Sequence, residues 1–86
     1  FVLGPEGVRL AWDANPEPDL LGYFVYRSLY PAVGYIRLNA SPLPLITFID
    51  KTVSPSTTYY YAVSAVDSSP RQNESALSQE VKVKIP

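Results

Sequence analysis

The sequence predicts an all-β chain in which two antiparallel sheets pack as a sandwich of about seven strands, the first of them short. Three observations lead there. Apolar and polar residues alternate over several short windows, as they do where one face of a strand is buried. No segment carries a sustained apolar stripe at the helical period, and nine prolines cut the chain into pieces that disfavour helices. Clusters of Ser, Asn, Asp, Gly and Pro separate the alternating windows, which is the chemistry of turns.

Taken in order, Phe1-Val2-Leu3 stands before the turn sequence Gly4-Pro5-Glu6-Gly7 and reads as the short first strand. Val8, Leu10 and Trp12 share one parity and Arg9 and Asp13 the other, so this window is a half-buried strand with Trp12 in the core. Residues 14–19 hold two prolines, an Asn and an Asp and form a loop. Residues 21–29 are rich in aromatic and β-branched side chains, with Tyr23 and Val25 on one face and Phe24 and Tyr26 on the other. Residues 35–38 are a short strand candidate, 39–44 a connector broken by proline, and 46–49 a brief strand closed by Asp50. The clearest alternation, Tyr59, Tyr61, Val63 and Ala65 against Thr58, Tyr60, Ala62 and Ser64, marks a central strand. A polar hairpin loop over 68–73 follows, and the last strand alternates Val81, Val83 and Ile85 with Lys82 and Lys84, lysines that suit an edge or a solvated face. The expected structural core is therefore Trp12, Tyr23, Val25, Tyr59, Tyr61 and Val63.

Composition narrows the function. The 86 residues fit one domain, 1–86, and because the chain starts at Phe1 and contains no Met it is expected to be a piece of a longer protein. The absence of Cys and His removes disulfides, thiolate and imidazole metal ligands, and the commonest general base. A net charge of -1 without a basic run argues against nucleic acid as a partner. No apolar run approaches the ~18 residues of a membrane span, so insertion into a membrane is not expected.

Several segments resemble the fibronectin type III family. Val8-x-Leu10-x-Trp12 is similar to its second strand, Gly22-Tyr23-x-Val25-Tyr26-Arg27 to the third strand of bacterial members, and Tyr59-x-Tyr61-x-Val63-x-Ala65 to the sixth. Val53-x-Pro55-Ser56-Thr57-x-Tyr59 resembles the family's Leu-x-Pro-Gly-Thr-x-Tyr signature, with Val for Leu and Ser for Gly, and Asn73-Glu74-Ser75-Ala76-x-Ser78 resembles the entry to the seventh strand. The resemblance implies an immunoglobulin-like sandwich in which the hydroxyl of Tyr59 reaches back to the preceding corner. It also implies a noncatalytic module, acting as spacer and protein-interaction domain in a larger, bacterial, extracytoplasmic protein, monomeric on its own. Its partners would be neighbouring domains or another protein, and a neighbour's tail could complete the short first strand. The second reading is a carbohydrate-binding accessory module.

Candidate sites are few. Acid pairs such as Asp13 with Asp19 or Asp67 with Glu74 lack a nucleophile and base around them, so no catalysis and no cofactor are expected, and Asp67 and Glu74 read as turn-forming side chains. Asp13, Asn15, Glu17 and Asp19 alternate in the manner of oxygen ligands for calcium, but Pro16 and Pro18 stiffen the loop and the expectation is a solvated acidic loop with no metal. There is no Arg-Gly-Asp tripeptide, while Asn39-Ala40-Ser41 and Asn73-Glu74-Ser75 match the glycosylation pattern. The candidate interaction patch is Phe24, Tyr26 and Tyr60, on the parity opposite to the core and expected to be exposed, or else partly shielded by Arg27, Arg37 and lysine side chains.

Overall fold

The computed structural model describes residues 1–4, 7–15, 19–71 and 73–86. The turn residues Pro5 and Glu6, residues 16–18 and Gln72 of the hairpin loop lie outside them. The strands are β1 (Val2–Gly4), β2 (Gly7–Ala11), β3 (Leu20–Ser28), β4 (Ile36–Arg37), β5 (Thr47–Asp50), β6 (Thr58–Asp67) and β7 (Val81–Lys84). They form a three-stranded sheet in the order β1-β2-β5 and a four-stranded sheet in the order β4-β3-β6-β7, with every neighbouring pair antiparallel.

The period-2 pattern places the core between these sheets. Val8 and Leu10 project from β2, Val25 from β3, Tyr59 and Tyr61 from β6 and Val83 from β7, all buried in one cluster. Trp12 and Val63 are half-buried and pack against that cluster. Trp12 falls just beyond β2, where its N–H donates to the Ile46 carbonyl, and its ring meets Tyr23 edge-on at 5.4 Å between centroids. Lys82 and Lys84 are exposed on β7, as their parity requires.

The 39–44 connector is bound to β3 more firmly than its prolines suggest. Leu43 and Tyr23 exchange two backbone hydrogen bonds of 2.9 and 2.8 Å, and the Asn39 side chain accepts from Val25 N while donating to the carbonyls of Tyr23 and Ser41. Its amide thus replaces strand pairing, and the nitrogen that a glycan would modify is already engaged. This close crossing explains Gly22, where a Cβ would lie 2.6 Å from the Leu43 carbonyl oxygen and 2.9 Å from Pro42 Cβ. Gly22→Ala is expected to lower stability by about 1–3 kcal/mol through overpacking, read as a lower urea midpoint.

Among the described residues, two other than glycine adopt left-handed backbone. Ser56 has φ 57°, at the position where the resembling signature has Gly, and its N–H donates to the Pro86 carbonyl at 3.0 Å. Ser56→Gly keeps that bond and removes the Cβ clash of the left-handed region, so it is expected to raise the urea midpoint by an amount worth about 0.5–1 kcal/mol. The second is Ala32, φ 63°, following Pro31 in the β3–β4 turn.

Candidate interaction surface

The outer face of the four-stranded sheet does not expose the aromatic patch that alternation suggests. Phe24 is only 8% exposed, because the Arg37 guanidinium lies over its ring at 4.2 Å from the centroid. Tyr26 is half-buried, and its hydroxyl donates to Glu74 Oε2, the same oxygen that accepts from Ser64 Oγ at 2.5 Å. Burial and the Glu74 carboxylate both push the Tyr26 hydroxyl above its ordinary pKa. Tyr60 is half-buried, opposite Ser28 on β3 and Lys82 on β7. Parity assigns all three residues to the outer face, but exposure does not follow, since Arg37 and Glu74 cover what alternation leaves open. Glu74 is accordingly a lid on the sheet rather than a turn-former. Asp67 has the turn role, accepting from Ser69 N, Ser69 Oγ and Asn73 N, bonds that hold its carboxyl below the usual range.

Among the calcium candidates, Asp13 and Asp19 are exposed, Asn15 N donates to the Tyr23 hydroxyl at 2.7 Å, and Glu17 lies outside the described residues. Among the described residues no three acidic side chains are gathered as metal ligands would be.

A polar cluster joins the two sheets. Asp50 ends β5 with its side chain turned inward and is 2% exposed. Its Oδ2 accepts from Arg27 Nη1 on β3 at 2.9 Å and from the Tyr61 hydroxyl on β6 at 2.6 Å. Its Oδ1 accepts from Thr52 N at 3.0 Å and Thr52 Oγ1 at 2.6 Å. Burial by itself raises the Asp50 pKa, but the bonds from Thr52, Tyr61 and Arg27 outweigh it and the net shift is downward. Tyr61 is displaced upward, by burial first and by the Asp50 carboxylate second.

Arg27 stands on the inward parity with Tyr23 and Val25, so it does not shield the outer face. That parity was the signal in the sequence, since an inward arginine requires a carboxylate, and Asp50 closes a strand across the core. Beside the cluster, Tyr59 accepts a 2.8 Å bond from Ser54 N through its hydroxyl, and its ring lies 4.8 Å from the Arg27 guanidinium carbon. The tyrosine thus pins the corner between sheets and forms one wall of a pocket at that end of the sandwich, which Arg27, Tyr30 and Ile36 also line.

Strand order, antiparallel pairing and the corner tyrosine define a seven-stranded, immunoglobulin-like β-sandwich. A solved Fn3-like protein from Clostridium thermocellum superposes with a TM-score of 0.75 at 31% identity, covering 91% of this chain and 75% of that one. The chain belongs to the fibronectin type III (Fn3) family. An amylopullulanase of Thermoanaerobacter thermohydrosulfuricus is 38% identical over 81 residues, covering 94% of this chain but only 5% of the amylopullulanase. No family model matches.

Proposed function

We propose that this chain is a noncatalytic fibronectin type III module, acting as a spacer and protein-interaction domain within a larger bacterial, extracytoplasmic protein. The observation that carries this reading is the match of almost the whole chain to 5% of an amylopullulanase, the proportion expected of one small module in a large multidomain enzyme. Extents of 41 × 25 × 20 Å suit a rod-like spacer, and inter-sheet bonds from Arg27 and Tyr61 to Asp50 stiffen it. The chain's own carboxylates serve the fold: the inward Asp50 is engaged by Arg27, Thr52 and Tyr61, and Glu74 by Tyr26 and Ser64.

The amylopullulanase match also favours a second reading, a glycan-binding accessory module. Electrophoresis of the chain through native gels containing amylopectin or pullulan separates the two. Unretarded migration and no release of reducing ends are expected. Retardation by either polymer would favour the glycan reading, and release of reducing ends would overturn the noncatalytic one.

A further inference from the structure

The β3–β4 end of the sandwich combines the outer edge of Arg27, whose inner nitrogen is paired with Asp50, with an apolar rim. Both side-chain hydrogen bonds of Arg27, to Asp50 Oδ2 at 2.9 Å and Thr52 Oγ1 at 2.7 Å, are made by Nη1. Among the described residues the one buried side-chain polar atom without a partner is Trp12 Nε1, so Nε and Nη2 of Arg27 are open to solvent. That side chain is 16% exposed and opens onto a pocket of ≈ 280 Å³. Nε and Nη2 form the edge of a guanidinium that grips a carboxylate with two parallel bonds. Asp50, bound from the core side, fixes the plane in which that edge is presented.

Leu29 at 55% exposure, Tyr30 at 63% and Ile36 at 55% line the pocket, and Val33 at 60% stands on the same turn. They are held out by a braced turn. Tyr30 and Val33 pair across it, Ser28 Oγ accepts from Tyr30 N and donates to the Val33 carbonyl, and Ala32 N donates to Glu80 Oε2 at 2.7 Å. The Tyr35 hydroxyl donates to the same Glu80 oxygen. A turn fixed in this way, with Ala32 kept at φ 63°, presents its apolar side chains already ordered, which reduces the entropy lost on binding.

We propose that this pocket docks a protein segment carrying a carboxylate beside an apolar side chain, the carboxylate on Nε and Nη2 of Arg27 and the apolar group against Leu29, Tyr30 and Ile36. The inference rests on the protein-interaction reading above and gives it a place and a partner chemistry. The two N–H groups that Asp50 and Thr52 leave unused on Arg27, parallel and in one plane, select a carboxylate. The two aliphatic lining residues Leu29 and Ile36 beside Tyr30, with the Tyr59 wall only 4% exposed, favour a protein segment over a sugar, which would call for broad aromatic platforms and several paired polar groups.

The test is titration of the 15N-labelled chain with the capped tripeptides Ac-Leu-Glu-Phe-NH2 and Ac-Leu-Gln-Phe-NH2, and separately with maltose, following amide shifts. Saturable shifts confined to residues 27–36 and 52–54 are expected with the glutamate peptide, and binding at least about fivefold weaker with the glutamine peptide. Arg27→Lys removes the two-nitrogen edge; because it also touches the Asp50 cluster, Tyr30→Ser and Ile36→Ser, both exposed, serve as folded controls and are expected to weaken binding by a similar factor. Equal binding of the two peptides would overturn the proposal, as would no shift with either. Peptide-induced shifts confined to other residues would overturn the pocket while leaving the protein-interaction reading in place. Shifts at the pocket with maltose alone would overturn both in favour of a glycan.

Discussion

Asp50→Ala is expected to lower the unfolding free energy by about 3–5 kcal/mol, measured by urea denaturation. Asp50 is 2% exposed, and its oxygens receive Arg27, Tyr61 and Thr52 at once. Removing the carboxylate leaves the Tyr61 hydroxyl buried without an acceptor and the Arg27 charge beside the core without its counterion. The loss therefore exceeds that of one hydrogen bond, which is worth about 1 kcal/mol net. Tyr61→Phe removes a single donor to the charged group and is expected to cost about 1.5–3 kcal/mol. A pH dependence follows from the same cluster. The folded Asp50 pKa lies below its unfolded value, so its contribution is fully present above about pH 4, the ordinary range of an aspartate, and is lost as pH falls through the folded pKa. Melting temperature is expected to be flat from neutral pH down to that point and to fall below it, more weakly in Asp50→Asn. Asp67, also held low by its turn bonds, adds to the slope with the same sign.

Tyr59→Ala is expected to destabilise by about 3–5 kcal/mol, the range for deleting a buried aromatic ring. The ring is 4% exposed within the core cluster, its hydroxyl closes the 54–59 corner, and its face meets Arg27. Tyr59→Phe separates these contributions. It keeps the packing and the cation–π contact but leaves Ser54 N without its partner, and is expected to cost about 1–2 kcal/mol. A loss as large as that of the alanine variant would mean that the hydroxyl rather than the ring holds the corner. Trp12 is less constrained, being half-buried with its Nε1 unpaired, so the burial that alternation leads one to expect of it is only partly realised.

The strands were legible where side-chain alternation is the whole physics. Val8 and Leu10, Tyr59 and Tyr61, and Val83 between exposed Lys82 and Lys84 occupy the faces their parity assigns. Strand ends were less legible, since Trp12 keeps the inward parity after pairing in β2 has ended at Ala11. The surface was least so, for a specific reason. Alternation says which face a side chain takes but not what arrives from elsewhere to cover it. Phe24 is buried by Arg37 from a two-residue strand, and Tyr26 and Ser64 are capped by Glu74, which lies outside the named strands and is held by a single bridge to Val66. The Arg27 pocket lies between these cases. An arginine on the inward parity was visible in the sequence, whereas the exposure of Leu29, Tyr30, Val33 and Ile36 depends on a turn braced by Glu80, which is remote in the chain. Substitution of Ser56 for the signature's glycine was also visible, and its φ of 57° is a conformation that glycine adopts without strain.

Whether one carboxylate ties the two sheets together is tested most directly by a double-mutant cycle between Asp50→Asn and Tyr61→Phe, followed by urea unfolding. Direct bonding across the core at 2.6 Å predicts a coupling of about 1 kcal/mol or more between the two substitutions. Effects that add to within about 0.3 kcal/mol would contradict it.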